Sequence, residues 1–123
     1  MTMWKTLKAS FDHAWQGLLA AFRREQSFRF QVMAALLVMI AVWLFPLERW
    51  EQCLLVLASG GVLVLELLNS VIERFVDMVK PRVHEYAKEI KDLAAAAVFI
   101  MAGTAVIIAL IIFWPYLPLL TRL

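Results

Sequence analysis

The 123-residue chain has one cysteine, two histidines, four glycines and no basic tract, and each scarcity removes a class of function. A lone Cys53 permits neither an intrachain disulfide nor a Cys-based metal site, and inside an apolar run it reads as a small packing residue. His13 and His84 lie far apart without metal-ligand spacing, so both read as non-metal residues. Gly17, Gly60, Gly61 and Gly103 fit neither GxxxxGK[ST] nor GxGxxG, which excludes the two nucleotide cradles of soluble proteins. A net charge of +2 argues against a nucleic-acid partner. The apolar residues of the first 25 positions are scattered rather than gathered ahead of a cleavage site, so this segment is expected to be retained and not removed as a signal peptide.

What the chain has instead is apolar mass: 63% hydrophobic residues and a mean hydropathy of +0.78, against about 45–50% apolar in a soluble domain. One domain, 1–123, is expected, with runs long enough for a bilayer. Trp4, Leu7, Phe11, Trp15, Leu18 and Phe22 recur at spacings of 3 or 4, with Lys5, Asp12, Gln16 and Arg23 between them. That pattern predicts an amphipathic surface helix over 4–24, with an aromatic face suited to the headgroup boundary. The competing expectation is a helix docked on the chain's own core.

Three spans follow, at about 29–47, 53–78 and 93–117. Pro46 marks a turn, and LERWEQ reads as a short polar loop. Lys80 and Pro81 are expected to stop the second helix near Met78, and KPRVHEYAKEIKD (80–92) forms a charged connector. Leu93–Leu120 carries no charge over 28 positions, which as a helix is ~42 Å, longer than the hydrocarbon. Pro115 and Pro118 are expected to end it. Ten of the twelve Lys and Arg fall on one side, before the first span or between the second and third, counting Arg29 and Arg74 at the polar ends of their spans. The positive-inside rule assigns that side to the cytosol, placing the N-terminus in and the C-terminus out. Trp43, Trp50, Trp114 and Tyr116 gather near the opposite face as an aromatic belt.

The second span carries the chemistry. Glu66 is reached after thirteen uncharged residues, and Asn69, Ser70, Glu73 and Asp77 follow at offsets of 3, 4, 7 and 11, one stripe of a helix. A carboxylate at mid-membrane costs about 3 kcal/mol on insertion scales, so such a stripe points to a polar site and not to packing. A carboxylate withdrawn from water holds a proton more firmly, which suits Glu66 to accept one from a lipid hydroxyl, with Asn69 orienting either group. Glu25 and Glu73, near the cytosolic surface, are suited to hold Mg²⁺ through one carboxylate each, with phosphates and water completing the shell. Lys91, helped by Lys88 or Arg82, is placed to neutralise phosphate oxygens. Gly60, Gly61, the alanines at 94–97, Ala102, Gly103, Ala105 and Ala109 permit close helix approach. Three spans hardly enclose a site this large, so a homo-oligomer is expected.

The segment ELLNSVIERFVD (66–77), with Lys91-Asp92 and an alanine-rich span after it, closely resembles the bacterial integral-membrane diacylglycerol kinases and the related undecaprenol kinases. Their signature reads E-x-x-N-[ST]-x-[IL]-E-x-x-x-D, then K-D. The resemblance extends to WQGLLAAF (15–22) and to Glu25, Phe28 and Arg29. It implies an all-α membrane protein, a surface helix plus three spans per subunit, in a homotrimer whose active sites are shared between neighbours. It implies transfer of the ATP γ-phosphate to a lipid hydroxyl, with Glu66 as base and Glu25 and Glu73 as metal ligands. His13, Glu25, Glu73, Asp77, Arg82, His84, Lys91 and Asp92 would then surround the nucleotide. Asn69, Ser70, Ser27, Phe28, Arg29 and Gln31 would orient the substrate. Gln31 departs from relatives that have an acid or histidine there, His13 replaces an aromatic residue, and Lys5 and Lys8 slip by a position against the family's basic residues. The segment RFQVM (29–33) lacks the histidine of the undecaprenol branch, which favours diacylglycerol over undecaprenol. The expectation from another class is a small proton- or cation-conducting oligomer with Glu66 as relay.

Overall fold

A computed structural model describes residues 2–122. It is all-helical: α1 (Met3–Arg24), α2 (Gln26–Leu44), α3 (Arg49–Phe113) and a closing 3₁₀ segment (Trp114–Arg122). α1 begins where Thr2, in an extended conformation, accepts a 3.3 Å hydrogen bond from the Lys5 amide on its side chain. Arg23 and Arg24 occupy its last turn, where cations oppose the helix dipole. Glu25 alone separates α1 from α2. Its amide closes the last turn of α1 on the Ala21 carbonyl, and its own carbonyl receives the Arg29 amide of α2. α2 ends at Leu44, ahead of Pro46, as a helix does before proline. A reciprocal capping box of Glu48 and Glu51 then starts α3. The turn is therefore shorter than the expected LERWEQ loop, because that box draws residues 49–52 into the helix.

α3 is one helical segment of 65 residues folded back on itself. Asp77 and Lys91 would stand ~21 Å apart on a straight helix, yet their side chains form an ion pair at 2.6 Å. Further out, a Cβ built on Gly61 lies 2.8 Å from Met101 Cε, and at the far end the Tyr116 hydroxyl donates to Glu51 Oε1 at 2.8 Å. These pairs are nested, so two antiparallel arms run from a reversal that includes Pro81, the kink proline disposes a helix to make. The expected stop at Met78 does not occur as a break in helix; the charged connector is itself helical. The α-helix ends at Phe113, just ahead of Pro115 as expected, and 3₁₀ geometry carries the chain past Pro115 and Pro118.

Gln26–Leu44, Arg49–Arg82 and His84–Arg122 are each long and apolar enough to cross a membrane. The seam between them is thin: Leu55, Ala58, Val62 and Val76 of the first arm are buried, with Phe28 and Val42 of α2 and Val98 and Ile112 of the second arm. At the far end Val42, Leu55 and Ile112 form a cluster with Val38, Met39, Ile108 and Phe113, and Phe45 meets Phe113 edge-on at 5.4 Å. Leu37, Trp43, Leu57, Phe99, Ile100 and Ile111 point outward. Apolar surface on that scale requires an apolar solvent or a partner. The aromatic face of α1 is likewise uncovered, with Trp4 76% exposed, so the chain's own core does not receive it.

Gly61 is where the arms come closest to a side chain that has no room to spare. Gly61→Ala should cost under ~1 kcal/mol, because the flexible end of Met101 can swing aside. Gly61→Leu should cost ~1–3 kcal/mol by overpacking, read as a lower unfolding midpoint in detergent micelles. Equal stability of the two variants would show that the arms do not meet there.

Candidate functional site

The stripe predicted on the second span is the inward face of the first arm, and its burial is graded. Glu66 (5% exposed) and Ser70 are buried, Asn69 and Glu73 are half-buried, and Asp77 is exposed at the reversal. The same face continues outward from Glu66 as Val62, Ala58 and Leu55, all buried. A single helical register thus runs from apolar core through a buried acid to an exposed one, because residues three and four apart stack on one side.

Glu66 is held from two directions. Ser27, in the first turn of α2, donates its hydroxyl to Glu66 Oε2 at 3.0 Å. The Ser70 hydroxyl turns back to the Glu66 carbonyl at 3.2 Å, a bond that satisfies the serine inside the helix without engaging the carboxylate. Among the described residues Glu66 Oε1 has no hydrogen-bond partner, and it is not one of the fully enclosed unpaired polar atoms. That oxygen is open to an incoming donor.

One turn on, Asn69 Nδ2 donates to Glu73 Oε1 at 3.3 Å, while Asn69 Oδ1 is enclosed and unpaired. A buried acceptor without a donor is rare, and this one lies directly beside the Glu73 carboxylate. Glu25, at the α1–α2 joint, faces Arg74 at 3.9 Å, a loose pair with both side chains part-exposed. At the reversal Lys91 donates to Asp77 Oδ1 at 2.6 Å, and Lys88 pairs with Asp92 at 2.6 Å. The Arg29 guanidinium donates to the carbonyls of Phe22 and Arg23 at 2.9 and 3.0 Å, so it ties the end of α1 to the start of α2. It works on backbone, as a clasp of the joint.

Other candidates are placed differently. Phe28 is buried at 3% and anchors α2 against the arms. Gln31 lines a cavity of about 430 Å³ between α2 and both arms, together with Ser59 and small residues such as Ala35, Ala58 and Gly103. His13, Arg82 and His84 are exposed and enter no hydrogen bond or ion pair among the described residues. Two participants were not among the expected residues. Arg74, beside Glu73 on the first arm, faces Glu25 as its counter-ion. Glu51 is 7% exposed and clasps Tyr116 at the far end; the Glu48-x-x-Glu51 capping spacing announced its helix start but nothing announced the tyrosine.

Among the described residues no three His, Cys, Asp or Glu side chains converge to hold a metal by themselves. The donors at this end are all hard oxygens: the carboxylates of Glu25 and Glu73 and the unpaired amide oxygen of Asn69. That set fits a Mg²⁺ bound together with a polyphosphate, which needs one or two protein carboxylates and not a cage.

If Arg29 clasps the joint, Arg29→Ala should raise amide exchange in residues 21–24 about three- to tenfold, the value of a typical net hydrogen bond. Exchange in the arms should stay unchanged, as measured by mass spectrometry in micelles. Unaltered exchange in residues 21–24 would show that the joint holds without the guanidinium.

A family model described as prokaryotic diacylglycerol kinase matches residues 12–113. An undecaprenol kinase of Bacillus subtilis is 42% identical over 108 residues, covering 88% of this chain and 88% of that protein. A diacylglycerol kinase of Synechocystis is 41% identical over 83% of this chain and 59% of its own length. A diacylglycerol kinase of Escherichia coli K12 is 38% identical over 113 residues, 91% of each chain.

Proposed function

The chain belongs to the prokaryotic diacylglycerol kinase family, a multi-pass bacterial membrane lipid kinase, and from that premise we propose that it moves the γ-phosphoryl group of ATP, as the Mg²⁺ complex, onto the hydroxyl of diacylglycerol. The products are phosphatidate and ADP. The observation that carries this reading is Glu66, a carboxylate buried in an apolar bundle with one oxygen tied to Ser27 and the other unpartnered. An acid retained there at a cost of about 3 kcal/mol needs a task that water-exposed acids cannot perform. Meeting a lipid alcohol below the membrane surface is such a task.

In the reaction the alcohol oxygen forms its bond to the γ-phosphorus as the bond from that phosphorus to the bridging oxygen of ADP breaks. The alcohol proton passes to Glu66 Oε1. Glu73 lies seven residues toward the reversal, ~10 Å along the helix, which separates the proton acceptor from the phosphates. Glu25 and Glu73 would hold Mg²⁺, which would supply neutralisation of phosphoryl charge. Lys91, lifted from Asp77, pairs with phosphate oxygens, and His13, Arg82, His84 and Asp92 border the nucleotide. The end bearing the joint and the reversal faces the cytosol, the source of ATP, so the C-terminus lies outside. α1 lies along the headgroups on its aromatic face. One chain leaves this end open on several sides, which supports a homotrimer with sites shared between neighbours.

A second reading, phosphorylation of undecaprenol, is favoured by the 42% identical relative of that name. Against it stands the expectation drawn from the family resemblance, that the segment RFQVM (29–33) lacks the histidine of the undecaprenol branch. The conduction alternative loses its basis, since an ion path has no use for the Lys91 and Glu25–Glu73 rim and the family is enzymatic.

Purified protein in mixed micelles should consume ATP only with Mg²⁺ and faster with added lipid, with diacylglycerol turned over well above undecaprenol; the reverse ratio would transfer the assignment to the second substrate. Glu66→Gln should lower kcat by at least ~10²-fold, the low end of what a positioned base supplies, with the folded oligomer intact by gel filtration. Near-normal turnover in that variant would remove Glu66 as the base. Glu25→Gln and Glu73→Gln should chiefly raise the KM for Mg·ATP, by about tenfold or more. An effect confined to the lipid KM would place both residues elsewhere in the reaction.

A further inference from the structure

We propose that Ser27 is the positioning residue for the proton acceptor: its hydroxyl fixes one oxygen of Glu66 and thereby presents the other to the lipid alcohol. The inference rests on the assignment of Glu66 as base and goes beyond it, to which oxygen works and what keeps it ready. Ser27 Oγ lies 3.0 Å from Glu66 Oε2 and is the hydrogen-bond donor to that carboxylate among the described residues. The bond joins α2 to the first arm across 39 positions of sequence, so it depends on tertiary packing and not on local helix geometry.

The difficulty at this carboxylate is aim. A glutamate has three rotatable bonds, and a base contributes only when its acceptor oxygen is held within hydrogen-bond reach of the proton. With Oε2 pinned, the open Oε1 is the oxygen presented to a substrate. The neighbouring Ser70 does not duplicate this work, because its hydroxyl is spent on the Glu66 carbonyl.

Ser27 is itself exposed while the acid it binds is buried, so its hydroxyl reaches inward from the surface of α2. A packing serine would sit with Phe28, one residue on, which is buried.

The test compares wild type, Ser27→Ala, Ser27→Thr and Glu66→Gln in mixed micelles with diacylglycerol and Mg·ATP. Ser27→Ala should lower kcat about tenfold to a hundredfold, the span expected when a hydrogen bond to a charged group is lost, with both KM values within about twofold of wild type. Ser27→Thr, which keeps the hydroxyl, should restore most of the rate. Infrared difference spectroscopy supplies a readout independent of turnover: the carboxyl band that disappears in Glu66→Gln should shift in Ser27→Ala and return in Ser27→Thr. A Ser27→Ala enzyme with kcat within twofold of wild type, a loss appearing only in KM, or an unshifted Glu66 band would each overturn the proposal. Turnover surviving in Glu66→Gln would instead overturn the base assignment, and this proposal would fall with it. If Glu66→Gln is inactive and Ser27→Ala is normal, the base stands and the serine alone is refuted.

Discussion

An ionisable group inside an apolar slab must be compensated or it becomes neutral, and this constraint organises the molecule from Glu66 outward. The compensation available here is local and small. One hydroxyl reaches the carboxylate from α2. No cation pairs with Glu66 among the described residues, and the acid and its cationic surroundings are separated along the arm. A lysine or arginine beside Glu66 would stabilise the charge more strongly, but it would also occupy the lone pairs a base must keep free. A single neutral donor on one oxygen holds the carboxylate in place while leaving its other oxygen available.

The rest of the bundle serves to hold that donor in place. Ser27 can reach Glu66 only if α2 starts where it does, and its start is set by Glu25, the single residue separating it from α1. Arg29 secures the joint by binding the carbonyls of Phe22 and Arg23 near the end of α1, so α1, Glu25 and the donor at Ser27 are tied together at one point. On the other side the arms of α3 are fixed at three levels: Asp77 with Lys91 at the reversal, Gly61 against Met101 midway, and Glu51 with Tyr116 at the far end. Depth follows from this frame. Helix rise puts Glu73 and Asp77 progressively nearer the polar boundary, while the same face beyond Glu66 is wholly apolar.

Much of this frame is legible in residue order. The offsets from Glu66 through Asp77 place five polar side chains on one face, and that face is the inward one. Span positions follow from hydropathy because the bilayer sets a length that few soluble helices imitate. What was not legible is continuity. Pro81 and the charged connector read as a break, yet helical hydrogen bonding continues into both arms, since a proline kink removes one bond without ending the segment. Cross-chain partners were equally hidden. Arg74 with Glu25 and Tyr116 with Glu51 join residues 49 and 65 positions apart, and no periodicity within one helix encodes which residue of another will face it. The role of Phe28 illustrates the limit from the other side: its place in a motif does not distinguish a ligand contact from an anchor, and burial does.

The same frame explains how relatives of such similar sequence carry the names of two lipid kinases. In the proposed reaction Glu66, positioned by Ser27, addresses an alcohol oxygen and its proton, a group that both a glyceride and a polyprenol offer. Discrimination between tails therefore has to come from apolar walls further along the bundle. Apolar contacts distinguish substrates by only about 1–3 kcal/mol per methylene-sized difference, far less than a hydrogen-bonding site distinguishes a missing hydroxyl. The polar stripe is thus the rigid requirement and the walls are the adjustable one. Gln31 and Ser59 stand at the boundary between the two, polar groups in the wall of an otherwise apolar cavity one to two turns from Ser27 and Glu66. A change of residue there alters the surroundings of the tail while leaving the hydroxyl, its acceptor and its donor where they are.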